Sequence, residues 1–211
     1  MSITMIAGYN LLEILYEGAA TCVYRAKASQ KDLGSTSVII KTLKAEYPTI
    51  DQLNRLKHEY QILQGLEIKE IVKPLALENY GNGLALILSD FDGKPLVKAI
   101  ATRQFKLNNY LQIAIHLAAI LAQLHQQNII HKDIKPHNIL VNEETGEIRL
   151  IDFGISTRLS RENSTSSNAN VLEGTLSYMS PEQTGRMNRS IDYRTDFYSL
   201  GVTFYEMLTG Q

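Results

Sequence analysis

His131-Lys132-Asp133-Ile134-Lys135-Pro136-His137-Asn138 is followed, after the β-like apolar run Ile148-Arg149-Leu150-Ile151, by Asp152-Phe153-Gly154. The first stretch puts an aspartate, a lysine and an asparagine on one loop. The second adds a lone carboxylate at the end of an apolar segment. Phosphoryl transfer from a metal-bound nucleotide calls for those parts: a carboxylate to take a hydroxyl proton, a cation near the migrating phosphate, and hard oxygen ligands for Mg²⁺. Either stretch alone occurs by chance, but the two in this order form a specific pattern.

Further segments extend the pattern in both directions. Lys41 closes Val38-Ile39-Ile40-Lys41, and Glu59 lies in the helical run Leu56-Lys57-His58-Glu59-Tyr60-Gln61-Ile62-Leu63. Gly174-Thr175-Leu176-Ser177-Tyr178-Met179-Ser180-Pro181-Glu182 and Asp196-Phe197-Tyr198-Ser199-Leu200-Gly201 follow downstream. With these, the chain from about Tyr9 to Gln211 resembles a protein kinase domain of the Ser/Thr type. The resemblance implies an α+β, bilobal fold: residues 1–88 as a small nucleotide-binding lobe, 89–93 as a hinge, and 94–211 as a mainly helical large lobe. Kinases of this kind continue past the helix that ends at Gly210-Gln211, so the large lobe is expected to be incomplete at its C-terminus.

The resemblance also assigns roles. Asp133 is the expected base and Lys135 the cation beside the transferring phosphate; lysine followed by Pro136 resembles Ser/Thr rather than tyrosine kinases. Asn138 and Asp152 are the implied Mg²⁺ ligands. Lys41 is expected to contact the α/β-phosphates of ATP and to pair with Glu59. Gly18, Val23, Ile39, Leu88, Ser89, Asp90, Phe91 and Leu140 are expected around the nucleotide, and Cys22 close by. Thr175 is expected to bond Asp133 and Lys135 and position a protein Ser/Thr substrate. His131, with Phe153 and Leu63, resembles the apolar column that links kinase lobes, while His116 and His125 read as packing residues or satisfied polar groups. Asp196 is expected to anchor the 131–138 loop from beneath. Glu182 is expected to pair with an arginine beyond Gln211, leaving a buried charge unmatched here.

Departures from the family pattern are local. In Tyr16-Glu17-Gly18-Ala19-Ala20-Thr21-Cys22-Val23 only the middle of three family glycines survives, which restricts close backbone approach to phosphate. Ile39 replaces a small residue over the adenine. Lys132 replaces an arginine whose bidentate fork normally holds a phosphorylated loop. These departures keep a second reading open, a weak or inactive nucleotide-binding pseudokinase that regulates an attached histidine kinase. A small-molecule kinase is disfavoured by the peptide-binding type of segment at Gly174–Glu182. The runs Ile71-Val72-Lys73-Pro74-Leu75, Asn79–Leu84 and Ser180–Arg189 resemble the N-terminal kinase modules of large cyanobacterial-type signalling proteins. Those proteins carry AAA-type ATPase, GAF and histidine kinase domains as well.

Composition is compatible with this. The 211 residues are 44% hydrophobic with a formal net charge of −1, enough for a substantial core and without the footprint of a nucleic-acid or membrane-surface binder. One cysteine, Cys22, rules out an internal disulfide framework and fits a cytoplasmic location. No apolar run reaches the roughly 20 residues of a membrane span, and no His/Cys/Asp cluster has zinc spacing.

Local patterning predicts five strands, at Asn10–Glu17, Thr21–Ala28, Ser37–Leu43, Leu75–Glu78 and Leu84–Ser89. A helix is predicted after Pro48, with Leu53, Leu56, Tyr60 and Leu63 on one face and Gly65 as its stop. Asn109–His125 reads as a helix that buries Leu111, Ala114, Ile115, Ala118, Leu121 and Ala122. Asn142–Gly146 reads as a hairpin turn. The last helix, from about Arg194, carries Phe197, Leu200, Phe204 and Leu208 at helical spacing. Ser160–Ala169 has no apolar periodicity and holds candidate phosphosites at Ser164, Thr165, Ser166 and Ser167.

Overall fold

Alternation of apolar and polar residues builds a sheet in the N-terminal part of the chain. A computed structural model describes residues 5–28, 37–102, 107–159, 174–187 and 189–211; Ser160–Ala169 and its candidate phosphosites lie outside them. The chain forms two compact units, Met1–Leu66 with Val72–Phe91, and Glu67–Ile71 with Asp92–Gln211.

The first unit contains β1 (Met5–Ile6), β2 (Tyr9–Glu17), β3 (Thr21–Ala28), β4 (Ser37–Leu43), α1 (Ile50–Gln64), β5 (Pro74–Tyr80) and β6 (Gly83–Ser89). Its described strands form one antiparallel sheet in the order β1-β2-β3-β4-β6-β5. The five predicted strands are present, and β1 is an addition: two residues are too few to show a period of two. Ala7 and Gly8 turn the chain at φ +47° and +81°, which drops Ile6 into the core beside Ala26, Val38, Ile40, Ala85 and Ile87. Alternation also places Cys22 differently from its expected position near the nucleotide. Cys22 faces Thr42 across the ladder, one residue out of phase with the Val23–Lys41 pair, so it projects from the opposite face of the sheet.

Helix α1 begins with a capping box. Thr49 Oγ1 accepts from Gln52 N (3.2 Å), and Gln52 Oε1 accepts from Thr49 N (3.0 Å), satisfying two N–H groups at the helix start. Gly65 closes it, donating its N–H to the last turn. Thr49→Ala is expected to destabilise the domain by about 1 kcal/mol, read as a lower urea midpoint at unchanged slope; an unaltered midpoint would show that the cap contributes nothing. The buried side of α1 is Leu56, Glu59, Ile62 and Leu63, with Leu53 and Tyr60 half-buried. The predicted apolar face is therefore displaced around a buried glutamate.

In the second unit the described strands and α-helices are β7 (Lys94–Pro95), α2 (Leu96–Ala101), α3 (Leu107–Gln126), β8 (Ile129–Ile130), β9 (Ile139–Val141), β10 (Ile148–Leu150), β11 (Thr157–Arg158) and α4 (Arg194–Thr209). β10-β9-β7 and β11-β8 form two small antiparallel sheets. The β9–β10 hairpin turns at Asn142, whose Oδ1 accepts from Glu144 N and Thr145 N (both 2.9 Å). Glu67–Ile71 docks here because Leu150 N donates to Glu70 O (2.8 Å) and Ile71 bridges Leu150.

Both long helices correct the predicted faces. α3 buries Ile113, Leu117, Ile120, Leu121 and Leu124; of the six residues expected inside only Leu121 is buried, and Ile115 is 66% exposed. A helix this apolar around its circumference carries no periodic signal that picks one side. α4 buries Thr195, Asp196, Ser199, Leu200, Thr203 and Met207, while Phe197 and Leu208 are exposed. Its buried stripe is mostly polar; of the four apolar residues at helical spacing, Leu200 is buried and Phe204 half-buried. Among the described residues no helix is long and apolar enough to cross a membrane.

Candidate active site

In the first unit, the ladder sets Val23 opposite Lys41, Ile39 opposite Leu88 and Lys41 opposite Leu86. Cross-strand partners project to one face, so Val23, Ile39, Lys41 and Leu88 form a single apolar surface with one cation in it. Lys41 Nζ donates to Glu59 Oε2 at 2.8 Å, with the two side chains 14% and 2% exposed. That pairing explains the glutamate on the buried side of α1, since a carboxylate this deep requires a partner. Ser89 and Asp90 have side chains committed elsewhere. Ser89 Oγ accepts from Lys73 N (3.0 Å), and Asp90 accepts from Arg25 Nε (2.8 Å) and Phe91 N (2.8 Å). What these two offer a base is backbone. Leu140 belongs to β9 of the second unit, paired with Arg149 and Pro95.

In the second unit the 131–138 loop is pinned by one carboxylate. Asp196, fully buried at the start of α4, accepts from His131 N (2.9 Å) and Lys132 N (2.8 Å) and pairs with His125 Nε2 (2.8 Å). Lys132 has φ +68°, a region costly for a residue with a β-carbon, and its amide is one of the two that Asp196 holds. His131 is buried against Phe153, ring centroids 4.6 Å apart. Burial pushes its imidazole below the ordinary histidine range, so it is neutral. Nδ1 accepts from Asp133 N (3.3 Å), and the proton therefore resides on Nε2, which donates to Ile151 O (3.2 Å). The ring thereby ties the loop to the residue preceding Asp152, itself at φ +67°.

Asp133 is surrounded by donors. Lys135 Nζ reaches Oδ2 at 2.6 Å, Asn138 Nδ2 reaches the same oxygen at 2.9 Å, and Thr175 N donates to Oδ1 at 3.1 Å. Lys135 Nζ also donates to Thr175 Oγ1 at 2.5 Å. Asn138 spends its amide nitrogen on Asp133, to the carbonyl as well as the carboxylate, which leaves Oδ1 as an oxygen donor. Among the described residues no group of three His, Cys, Asp or Glu has metal-holding geometry. An amide oxygen from Asn138 and a carboxylate from Asp152 would offer only oxygen ligands, the kind Mg²⁺ takes alongside phosphate oxygens and water.

The model of the protein kinase domain matches residues 9–211. The chain belongs to the protein kinase domain family. The kinase domain is 34% identical over 204 residues to a probable serine/threonine-protein kinase of Clostridium perfringens, covering 96% of this chain and 29% of that one. It is 31% identical to the serine/threonine-protein kinase PrkC of Bacillus subtilis (96% and 30%). It is 32% identical to serine/threonine-protein kinase A of Synechocystis (96% and 40%). It thus spans roughly a third of the length of these curated relatives, and its sheet and helices are those of the α+β kinase fold.

Several residues that position this loop were not foreseen from sequence. Gln183 Nε2 donates to Lys132 O (2.9 Å) while its Oε1 accepts from Ser180 N (3.0 Å), joining the 131–138 loop to the segment after Thr175. Ser199 Oγ donates to Tyr178 O (2.8 Å). Glu182 is not unmatched: it is half-buried and accepts from Thr195 Oγ1 (2.9 Å). Burial pulls its carboxyl upward, but its own backbone N–H, the hydroxyls of Thr195 and Ser180, and Arg189 outweigh that and hold it below the usual range. The available signal was the polar stripe Thr195, Ser199, Thr203, at helical spacing on the side away from the aromatic residues.

Proposed function

We propose that this kinase domain transfers the γ-phosphate of ATP, carried as Mg·ATP, to serine and threonine hydroxyls of protein substrates in bacterial signalling. The observation that carries this is Lys135, whose ammonium bonds both the Asp133 carboxylate and the Thr175 hydroxyl. In that arrangement Asp133 accepts the proton of the substrate hydroxyl as its oxygen bonds to the γ-phosphorus and the bond to the β,γ-bridging oxygen breaks, releasing ADP. Lys135 balances negative charge on the transferring group, and Thr175 positions the hydroxyl. Lys41, oriented by Glu59, takes the α/β-phosphates. Asn138 and Asp152 hold Mg²⁺, which when bound neutralises charge on the phosphate oxygens. The base lies on the Val23–Ile39–Leu88 face of the first unit, beside the backbone of residues 89–91.

The relatives' names support a serine/threonine preference, and their greater length supports a multidomain setting. We place the domain in the cytoplasm, ahead of AAA-type ATPase, GAF and histidine kinase modules of the same polypeptide. The test is transfer from γ-labelled ATP to protein serine and threonine, with and without Mg²⁺, beside Asp152→Asn. Metal-dependent transfer lost in the variant is expected. Tight Mg·ATP binding with no transfer would replace the reading with a regulatory pseudokinase.

A further inference from the structure

Tyr16 stands two residues before the one family glycine that the loop retains, and its ring lies on that glycine. A β-carbon built at Gly18 would fall 2.6 Å from Tyr16 Oη, 2.7 Å from Cε1 and 2.9 Å from Cζ. Those distances are far inside van der Waals contact, so the phenol tip covers Gly18 where any larger residue would carry its side chain. The ladder decides the side. Tyr16 is opposite Val23, and Val23 is opposite Lys41, which puts the ring on the face that carries the lysine. The hairpin tip is closed by Gly18 N donating to Thr21 O and is tied to the end of β4 by Lys44 N donating to Ala20 O (both 2.9 Å). Glu17 and Lys44 pair at 2.6 Å beside it.

We propose that Tyr16 is a plug on the phosphate loop and sets the nucleotide affinity of this domain. The inference rests on the reading that the Lys41 face takes Mg·ATP. Glycine in such a loop admits phosphate close to the backbone, and here an aromatic ring fills that approach. A polyphosphate reaches Gly18 only after the ring rotates away. The residue at position 18 is glycine for the ring's sake as much as for a phosphate. If the ring is displaced in about a tenth of molecules, apparent affinity falls about tenfold. A phosphate-free ligand of the same face is unaffected by it.

The experiment titrates the full chain with a fluorescent Mg·ATP analogue and, separately, with adenosine, for wild type, Tyr16→Ala and Tyr16→Phe. Tyr16→Ala is expected to tighten the ATP analogue about tenfold and leave adenosine unchanged, with Tyr16→Phe matching wild type because the ring and not the hydroxyl does the blocking. A companion measurement needs no nucleotide: Gly18→Ala is expected to lower the melting temperature in the wild-type background and much less beside Tyr16→Ala. ATP affinity that is unchanged or weakened by Tyr16→Ala, with adenosine still bound, overturns the plug while leaving the nucleotide-binding reading intact. An equal effect of Gly18→Ala in both backgrounds also overturns it. Failure of every variant to bind either ligand overturns the proposal together with the reading beneath it.

Discussion

Asp196→Ala is expected to lower the unfolding free energy by roughly 2–6 kcal/mol, because a buried and a half-buried backbone N–H lose their acceptor at about 1–3 kcal/mol each. Those donors are His131 N and Lys132 N, with His125 Nε2 as a third partner on the same carboxylate. The loss is compounded by geometry. Lys132 is held at φ +68°, and a strained residue persists only where its surroundings over-determine it. Against a typical domain stability of about 5–15 kcal/mol, the variant is expected to populate unfolded chain at growth temperature. Urea unfolding with tyrosine fluorescence measures it. Asp196→Asn separates charge from shape: it retains one acceptor oxygen but turns an NH₂ toward a backbone N–H, so it should recover only part of the loss. A midpoint for Asp196→Ala within error of wild type would mean that the loop is held by other contacts.

The second large effect is catalytic. Asp133→Asn is expected to reduce the transfer rate by roughly 10²–10⁴, the usual contribution of a positioned general base, with Mg·ATP affinity nearly unchanged. An amide at this position cannot accept the hydroxyl proton. It also presents an NH₂ group where one carboxylate oxygen now receives both Lys135 and Asn138, so the lysine loses a counter-ion as well. Initial rates at saturating peptide and nucleotide, beside a melting curve, distinguish lost chemistry from lost fold. Transfer retained within tenfold of wild type would remove Asp133 from the role of base.

The two effects differ in how visible their causes are in sequence. Asp133, Lys135 and Asn138 are close neighbours on a single loop, so their chemistry can be read locally even though Asp196 and Gln183 hold that loop from far along the chain. The strands were equally visible, because Val23, Ile39 and Lys41 alternate with the buried Cys22, Val38 and Ile40 and a period of two is a local property. Glu59 was foreseen only through resemblance. Taken alone it interrupts an apolar helix face, and its burial makes sense once Lys41 is 2.8 Å away. Gln183 and Ser199 were not visible at all. Each is an ordinary polar residue whose partner, Lys132 O or Tyr178 O, is a backbone carbonyl with no sequence signature.

The helices mark the same boundary. Hydrophobic periodicity located α3 and α4 within a residue or two but misjudged which sides are covered. In α4 the buried side is polar because it must meet backbone groups of the 131–138 loop and of the segment near Tyr178, and buried peptide groups demand hydrogen-bond partners that Phe197 and Leu208 cannot supply. Tyr16 belongs here too: its replacement of a glycine is plain in the sequence, yet the ring's place on Gly18 comes from the hairpin that curls β2 into β3. The chain's own letters therefore specify the chemistry on each loop and the alternation of each strand, since both depend on residues a few positions apart. Which polar groups face one another, and what covers the phosphate loop, follow from packing, where a side chain's worth depends on a partner that folding brings to it.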